Sequence, residues 1–325
     1  MCTAVSFTTK DHYYGRTLDL EYSLDEAVVV MPRRFSLSFR HVPRLDTHLA
    51  MIGTATVTDG YPLYYDATNE AGLSIAALNF PGSAHYPQID PTKENIAPFE
   101  LIPFLLAQCA SAAQARALLA RINLAAIPFS NDLPLTPLHF LISDAKESIV
   151  LEPMEEGLKI FDNPTGVLTN NPPFNMQMAH LSRFAALSNR IPENHLDPSL
   201  ELSPLNRGTG AVGLPGDLTS ASRFVRAVFT KAHSLCGDTP EESVTQFFHI
   251  LASVAHTRGS VLVDNRPEIT VYSSCCDTNR GIYHYTTYEN SQITAIDMHK
   301  ENLDGHSLSV FPLIRRQQFY MFNGS

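Results

Sequence analysis

Cys2 is the residue whose type and position most directly suggest chemistry, because it directly follows the initiator methionine. An initiator methionine is commonly removed before a small side chain, so we expect the mature chain to begin with Cys2. One residue would then carry a thiol, with an ordinary pKa of about 8.5, and an α-amine, with an ordinary pKa of about 7.7 to 8.0. Such an amine can accept the thiol proton near neutral pH, which provides a nucleophile together with its base.

The alternative role for Cys2 is that of a small buried apolar residue. Residues 3–8 (TAVSFT) alternate in the manner of a strand, and no flexible polar segment precedes them. An amino terminus that enters a sheet at residue 2 is held in place rather than frayed. The strand pattern therefore favours a chemical role over the structural one.

A cation and a carboxylate follow on the next predicted strand, in the segment GRTLD at residues 15–19. Arg16 and Asp19 could form an ordinary surface ion pair, which contributes at most about 1 kcal/mol. Because this strand is expected to pair with the one that carries Cys2, a second interpretation is open. Arg16 would then favour the thiolate, and Asp19 would hold the α-amine.

Three further polar residues lie where predicted strands end or a helix begins. Asn79 ends the apolar run AALN, and Asn170 follows the run GVLT. Either amide fits a turn, and either could donate a hydrogen bond to an oxyanion. Arg223 lies near the start of a predicted helix, where the sequence is equally compatible with a solvated cation and a functional one.

Charge and motif spacing argue against several other kinds of protein. The net charge of −10 argues against binding to nucleic acid or to an anionic membrane surface. The segment GTGAVG at residues 208–213 fits a nucleotide-binding motif but lacks the preceding strand and the following helix that such a site needs. Histidine and cysteine spacings typical of a metal site are missing, so we expect neither a metal nor a cofactor.

The cysteines indicate a reducing compartment, because they are odd in number and two of them are adjacent. They are Cys2, Cys109, Cys236, Cys275 and Cys276. No charged-then-apolar leader precedes Cys2, and the sequence has no uninterrupted apolar stretch of about 18 residues. These features predict a soluble, cytoplasmic protein with free thiols.

Alternating and β-branched runs predict the strands that position these side chains. Strands are expected at residues 2–9, 13–18, 27–31, 48–58 and 73–80, then as a meander at 138–143, 148–153, 158–161 and 166–169, and finally at 270–274, 282–288, 293–298 and 308–313. Helices are expected at residues 98–109 and 220–234, and from capping boxes at Ser111 and Thr239. Residues 171–218 are expected to form a long loop around an amphipathic stretch at 178–188.

The predicted order is strands, a helix pair, strands, a second helix pair and strands. Two sheets packed between two helical layers would cover every apolar face. The sequence therefore predicts the α+β class, as a four-layer αββα sandwich of two antiparallel sheets between helical layers. Residues 2–325 are expected to form a single domain.

Several segments together resemble the choloylglycine hydrolase family, which contains the bile salt hydrolases and penicillin V acylases of the amino-terminal nucleophile (Ntn) hydrolase fold. The resemblance runs in one order from Cys2 to roughly residue 313. Its segments are MCTA at residues 1–4, GRTLDLEY at 15–22, ALNFP at 77–81, LTNNP at 168–172, GLPGD at 213–217, SRF at 222–224 and TYEN at 287–290.

The resemblance implies a role for each matching position. The catalytic positions are Cys2 as nucleophile, Arg16 and Asp19 as the pair beside it, Asn79 and Asn170 as oxyanion residues, and Arg223 as a second arginine of the site. The family's apolar pocket positions fall on Leu18, Phe129 and Leu133.

The function that the resemblance implies is hydrolysis of the amide bond between a bile acid and glycine or taurine, through a thioester at Cys2. A penicillin V acylase acting on phenoxyacetyl amides is the alternative within the family, although many acylases carry Tyr at the position of Asn79. A non-catalytic binding protein of the same fold is the alternative outside enzymes. The resemblance also implies a homotetramer whose partner is a small-molecule substrate, with no cofactor.

Overall fold

The structure, a computed structural model, describes residues 1–203 and 206–323. Its strands are β1 (Cys2–Thr8), β2 (His12–Leu20), β3 (Ala27–Met31), β4 (Met51–Thr58), β5 (Tyr61–Asn69), β6 (Ser74–Asn79), β7 (Glu94–Ile96), β8 (Ile122–Leu124), β9 (Leu138–Ser143), β10 (Ser148–Met154), β11 (Gly157–Asp162), β12 (Val167–Leu168), β13 (Leu262–Val263), β14 (Arg266–Pro267), β15 (Ile269–Asp277), β16 (Ile282–Thr287), β17 (Thr294–Asp297) and β18 (Ser309–Pro312). Its α-helices are α1 (Leu101–Gln108), α2 (Ala112–Leu119), α3 (Phe174–Leu181), α4 (Ser220–Ala232) and α5 (Pro240–Ala252).

Two large antiparallel sheets form the centre of the fold. One has the strand order β12-β1-β2-β15-β16-β17, and the other has the order β11-β10-β9-β6-β5-β4-β3-β18. Alternate residues of β3 show how the second sheet divides two cores: Val28 and Val30 face the first sheet, whereas Val29 and Met31 pack with α1 and α2. Helices α4 and α5 cover the outer side of the first sheet. The predicted α+β class and αββα layering are confirmed.

Strand β1 pairs along its whole length with β2, with Cys2 opposite Leu18 at one end and Thr8 opposite His12 at the other. Strand β15 flanks β2 so closely at Gly15 that a Cβ there would overlap the backbone of Ser274. The glycine of the GRTLD segment is therefore required by close strand packing. The predicted pairing of the strands that carry Cys2 and Arg16 is confirmed.

Three predictions about individual elements are wrong. The fourth strand of the predicted meander, β12, leaves it and pairs with β1 in the other sheet, where Val167 and Leu168 are buried. Strand β5 has no counterpart among the predicted strands; Pro62 is its second residue, and a strand tolerates proline near its start. Helix α3 begins at Phe174, directly after Pro173 at its N-cap, and gives way to a 3-10 turn at Ser182–Phe184 instead of spanning 178–188.

The capping box predicted at Thr239 is confirmed. The box predicted at Ser111 is only half formed, because Ser111 accepts a hydrogen bond from the Gln114 backbone but the Gln114 side chain accepts one from the Ala110 backbone instead. All five cysteines are free thiols, as predicted. In the part of the chain that the structure describes, helices are too short or too polar to span a membrane, and acidic, histidine and cysteine side chains form no cluster of three suited to a metal ion. That residues 2–325 form a single domain stays a prediction.

Candidate active site

Cys2 is the first residue of β1 and lies at one end of the core between the sheets. It is buried, and ladder pairing places it opposite Leu18. Its backbone nitrogen, which would become the α-amine once Met1 is removed, donates a hydrogen bond to Asn170 Oδ1 at 2.8 Å. Backbone pairing and this hydrogen bond together fix the nitrogen that would act as base for the thiol.

Arg223 joins Cys2 to Asn170 from the first turn of α4. Its Nη1 donates to the Cys2 carbonyl at 2.6 Å and to Thr3 Oγ1 at 2.7 Å, and its Nη2 donates to Asn170 Oδ1 at 2.8 Å. Burial lowers the pKa of Arg223, but a guanidinium stays protonated in proteins. The arginine is therefore a buried cation in direct contact with the proposed nucleophile's backbone, and the solvated-cation interpretation is wrong.

Asn170 also contacts the end of β6. Its Nδ2 donates to the Asn79 carbonyl at 2.7 Å, and Asn79 itself is exposed at the last position of the strand. An amide NH₂ group has two protons, so one N–H of Asn170 remains for another acceptor. The structure thus brings together the two residues predicted to serve an oxyanion.

Arg16 is wholly buried on β2 and lies opposite Ala4 of β1. Its Nη1 donates to the carbonyls of Ala77 at 2.5 Å and Tyr65 at 2.9 Å, whereas Nη2 has no hydrogen-bond partner among residues 1–203 and 206–323. Burial lowers the pKa of Arg16, but the negative charge of the Cys2 thiolate, followed by the charges of Tyr272 and Asp66, raises it, and the net shift is upward. A permanent cation beside the thiol favours the thiolate.

Asp19 is also fully buried. Its Oδ1 accepts a hydrogen bond from Thr270 Oγ1 at 2.6 Å, its Oδ2 accepts one from Thr17 Oγ1 at 3.1 Å, and His256 Nε2 lies 3.9 Å from Oδ2. The ion pairs of the described residues do not include one between Asp19 and Arg16. Because both side chains are buried and are not paired with each other, the surface ion pair considered from sequence is wrong.

Met1 extends the β1 ladder by one residue. Its carbonyl accepts a hydrogen bond from the Asp19 backbone N–H at 2.9 Å, and its α-ammonium donates to the Asp19 carbonyl at 2.6 Å and to Glu268 Oε2 at 2.8 Å. While Met1 is present, the nitrogen of Cys2 is a peptide nitrogen and has no lone pair available to accept a proton. The arrangement can supply a base at Cys2 only after Met1 is removed.

The residues predicted to form the apolar pocket occupy different surroundings. Leu18 is buried opposite Cys2. Phe129 packs edge-on against Phe99, with ring centroids 5.1 Å apart, and the Arg40 guanidinium lies 5.6 Å from its ring centre. Leu133 is 39% exposed. The structure brings only Leu18 to the nucleophile by direct strand pairing, and the pocket stays a prediction.

Sequence reasoning missed three buried polar residues near Asp19 and Met1, namely His256, Glu268 and Thr270. Thr270 is the second residue of β15 and lies opposite Asp19 on β2, and Glu268 directly precedes the strand. Polar residues at the alternate positions 268 and 270 of a mostly apolar segment are a signal that could have pointed to a buried polar contact. His256 lies in the connection after α5 and gave no comparable signal.

The fold is an αββα sandwich, and a buried cysteine begins one of its inner strands beside arginine and asparagine side chains. This combination is that of the amide hydrolases that use an amino-terminal nucleophile. Residues 2–311 match the sequence model described as linear amide C–N hydrolases, choloylglycine hydrolase family. The chain belongs to this family.

Individual relatives agree with the family assignment. The chain is 50% identical over 99% of its length to the whole of a "Bile salt hydrolase/transferase" from Lactiplantibacillus plantarum. A variant of conjugated bile acid hydrolase from Clostridium perfringens has a similar structure, with a TM-score of 0.91, 39% identity, and coverage of 99% of this chain and 100% of that one. A penicillin V acylase from Agrobacterium tumefaciens, with a TM-score of 0.75, 20% identity, and coverage of 95% and 90% respectively, shares the fold.

Proposed function

We propose that this protein hydrolyses the amide bond of glycine- or taurine-conjugated bile salts, with Cys2 as the nucleophile. The observation that carries the proposal is the convergence of Arg16, Arg223 and Asn170 on Cys2. The chain that carries this arrangement is 50% identical to a relative named "Bile salt hydrolase/transferase". The products would be a free bile acid and the amino acid.

The first half of the reaction forms a thioester. After loss of Met1, the α-amine of Cys2 accepts the thiol proton, and Arg16 stabilises the thiolate. The sulfur attacks the amide carbon, and the carbonyl oxygen becomes an oxyanion that accepts hydrogen bonds from the free N–H of the Asn170 side chain and from the Asn79 backbone N–H. Collapse breaks the carbon–nitrogen bond as the α-ammonium protonates the departing amine.

The second half releases the bile acid. Water loses a proton to the α-amine and attacks the thioester carbon, and collapse of this intermediate expels the Cys2 sulfur, which regains the proton. Asp19 and Arg223 do not react with the substrate. They position the backbone of Cys2 and the groups around it. The cycle therefore needs neither a metal nor a cofactor for its proton transfers.

The steroid body would contact Leu18, Phe129 and Leu133. Bile salts have a rigid apolar body, so an apolar wall with few polar anchors suits them. Burying steroid surface there contributes roughly 25 cal/mol per Å² before the costs of binding are subtracted. Asn79 is smaller than the Tyr of many acylases and leaves more room beside the nucleophile.

Product release from glycocholate, taurocholate and penicillin V, measured side by side on the processed enzyme, tests the substrate class. We expect a clearly higher kcat/KM for the conjugated bile salts. A preference for penicillin V would replace this proposal with the acylase alternative and leave the nucleophile intact. No release from any of the three would favour the non-catalytic binding protein.

The name of the L. plantarum relative suggests acyl transfer as a second candidate activity. A thioester at Cys2 can react with an amine in place of water, which forms a new amide and frees the thiol. Hydroxylamine added during turnover of glycocholate should then yield the bile-acid hydroxamate at the expense of free acid. Unchanged release of free acid would exclude this candidate.

We further propose that the protein is a cytoplasmic homotetramer formed from single-domain subunits. The free thiols support a reducing compartment. The long connection between α3 and α4 exposes several large apolar side chains, which are Leu196, Leu200, Leu202 and Val212. We infer that they contribute to a subunit interface, for which exposed apolar surface is typical. Light scattering should give the tetramer mass for the wild type and a smaller mass for Leu196→Asp.

A further inference from the structure

A buried acid–base pair lies behind the proposed catalytic residues, and none of the roles assigned above uses it. Glu268 and His256 are both buried, and His256 Nδ1 lies 2.8 Å from Glu268 Oε1. The other carboxylate oxygen of Glu268 accepts the hydrogen bond from the α-ammonium of Met1 at 2.8 Å.

Charge balance at this pair changes when Met1 is removed. In the unprocessed chain, the α-ammonium neutralises the buried Glu268 carboxylate. Burial raises the pKa of Glu268, but the adjacent His256 ring and the ammonium charge lower it, and the net shift is downward. Loss of Met1 would leave this carboxylate without its cation, and a buried carboxylate without a partner is unfavourable.

The same cleavage creates a new ammonium one residue along the strand, at Cys2. The Cys2 nitrogen already lies on the buried side, where it donates to Asn170 Oδ1 at 2.8 Å. An ammonium has more protons than a peptide N–H, so it can keep this bond and still donate to a carboxylate. Processing thus moves the positive charge by one residue within a site that already contains its acceptor.

We propose that Glu268, which lies against His256, is a positioning residue that accepts the α-ammonium of Cys2 in the processed enzyme and orients the amine toward the thiol. The inference rests on the proposed role of Cys2 as an amino-terminal nucleophile. Glu268 acts through the amine and does not touch the substrate.

The charged groups around the amine fix the sign of the expected pH effect. Asp19 and Arg16 approach from β2, Arg223 from α4, and His256 and Glu268 from the segment between α5 and β15. The Glu268 carboxylate favours the ammonium and disfavours the thiolate, whereas the two arginines act in the opposite sense. Neutralising Glu268 should therefore make the Cys2 thiol reactive at lower pH.

Alkylation of Cys2 by iodoacetamide, followed by mass spectrometry of the amino-terminal peptide across pH, tests this inference on the processed enzyme. We expect Glu268→Gln to lower the pH midpoint of alkylation by about one unit, the size of effect typical of a nearby buried charge. Glu289→Gln is the matched control, because Glu289 is exposed and pairs with the exposed Arg258. It should leave the midpoint unchanged.

Glu268→Asp withdraws the carboxylate by one methylene and should give a smaller shift in the same direction, which preserves the test if Glu268→Gln does not fold. A Glu268→Gln midpoint equal to that of the Glu289→Gln control, or a shift to higher pH, would overturn the inference. For Glu268→Asp alone, an unchanged midpoint would do the same. Because alkylation needs no amide substrate, these results are independent of whether the enzyme accepts bile salts.

Discussion

The two ends of the β1–β2 hairpin both bury a nucleophilic side chain beside groups able to act as a base, yet they differ in charge. At one end, Cys2 lies with Arg16, Asp19 and Arg223. At the other end is a hydroxyl cluster, made of Ser6, Thr8, His12, Ser143 and Ser148. Ladder pairing runs without interruption from one end to the other, so the difference arises from side chains rather than from the backbone.

In the hydroxyl cluster, polar groups satisfy one another. Ser143 Oγ lies 2.9 Å from Ser6 Oγ, 2.7 Å from Ser148 Oγ and 3.4 Å from His12 Nε2, and His12 Nδ1 lies 2.8 Å from Thr8 Oγ1. Burial lowers the pKa of His12 to about 4, so the ring is neutral at pH 7. The serine and histidine side chains of this cluster therefore satisfy each other's hydrogen bonds and stabilise the fold.

The Cys2 end leaves hydrogen-bonding capacity unused. Nη2 of Arg16 lacks a partner in the described part of the chain, and Asn170 keeps one amide proton free. Hydrogen-bond donors and charges that have no partner within the protein are available to a thiolate or an oxyanion. Proximity of a nucleophile and a base is therefore insufficient for a catalytic site, and the unused buried donors distinguish the Cys2 end from the hydroxyl cluster.

The largest difference between the two ends is expected when the nucleophilic side chain at each end is replaced and kcat/KM is measured. We expect Cys2→Ser to lower kcat/KM for glycocholate by on the order of 10³-fold or more, because the α-amine is too weak a base to activate an alcohol efficiently. Ser6→Ala, at the hydroxyl cluster, should stay within about threefold of wild type, since Ser6 has no role in the proposed mechanism. Steady-state kinetics, with circular dichroism to verify folding, makes this comparison.

A protein that keeps Met1 should be as inactive as Cys2→Ser, because its Cys2 nitrogen is a peptide nitrogen. Intact mass spectrometry identifies the processed and unprocessed forms. Full activity of a form proven to retain Met1 would contradict the proposed base.

Neutralising Asp19 should separate turnover from stability. Asp19→Asn keeps the shape of the side chain but removes the buried carboxylate that is predicted to hold the amine, so we expect kcat to fall by about 10²-fold, within the range typical of positioned acid–base groups. Asp144→Asn near the hydroxyl cluster is the control, because Asp144 accepts backbone hydrogen bonds from Ala112 and Lys146 and should affect unfolding more than turnover. Normal turnover in Asp19→Asn would remove Asp19 from the mechanism.

The hydroxyl cluster should contribute to the pH dependence of stability. The pKa of His12 is about 4 in the folded protein and 6.5 as a free side chain. The neutral His12 ring makes its full contribution to the free energy of unfolding above pH 6.5. This contribution is lost as pH falls toward 4, because the unfolded chain then binds a proton that the folded chain does not. Between pH 7.5 and 4.5 this lowers the free energy of unfolding by about 2 to 3 kcal/mol.

Urea unfolding of wild type and His12→Asn at both pH values isolates this contribution. The decrease in the free energy of unfolding between pH 7.5 and 4.5 should be smaller in His12→Asn by that amount. Equal decreases would mean that His12 is accessible to protons in the folded protein.

The smallest predicted effect concerns substrate binding. Phe129→Ala should raise KM for conjugated bile salts several-fold and lower kcat less, as expected when binding is lost equally from substrate and transition state. Phe319→Ala is the control, because Phe319 is largely exposed near the end of the described chain. Steady-state kinetics that place the main effect on kcat would assign Phe129 to the chemistry instead of the pocket.

The sequence contained enough information for the layers of the fold but not for all strand partners. Alternation in β1 and β2 and the capping box at Thr239 are local signals, and all were predicted. The partner of β12 depends on which apolar surface it buries, and a run of two buried residues does not encode that choice. Strand β5, which supplies the Tyr65 carbonyl to Arg16, was missing from the predicted strands.

The candidate site was predictable in its residues and not in their contacts. The resemblance placed six side chains at their positions, but the buried state of Arg16 and Asp19 depends on strands distant in sequence. Thr270 reaches Asp19 across a separation of 251 residues. Such pairings follow from the register of β2 and β15, which includes a shift between Thr270 and Tyr272 that the sequence does not announce.

The proposed mechanism requires that Cys2 forms a covalent thioester during hydrolysis of a conjugated bile salt. Processed enzyme mixed with glycocholate and quenched in acid within milliseconds should carry one cholyl group, and peptide mass spectrometry should place it on Cys2. The adduct should be absent from the form that retains Met1. Turnover at the full rate with no adduct on Cys2, or with the cholyl group on Ser6 or another residue, would contradict the account.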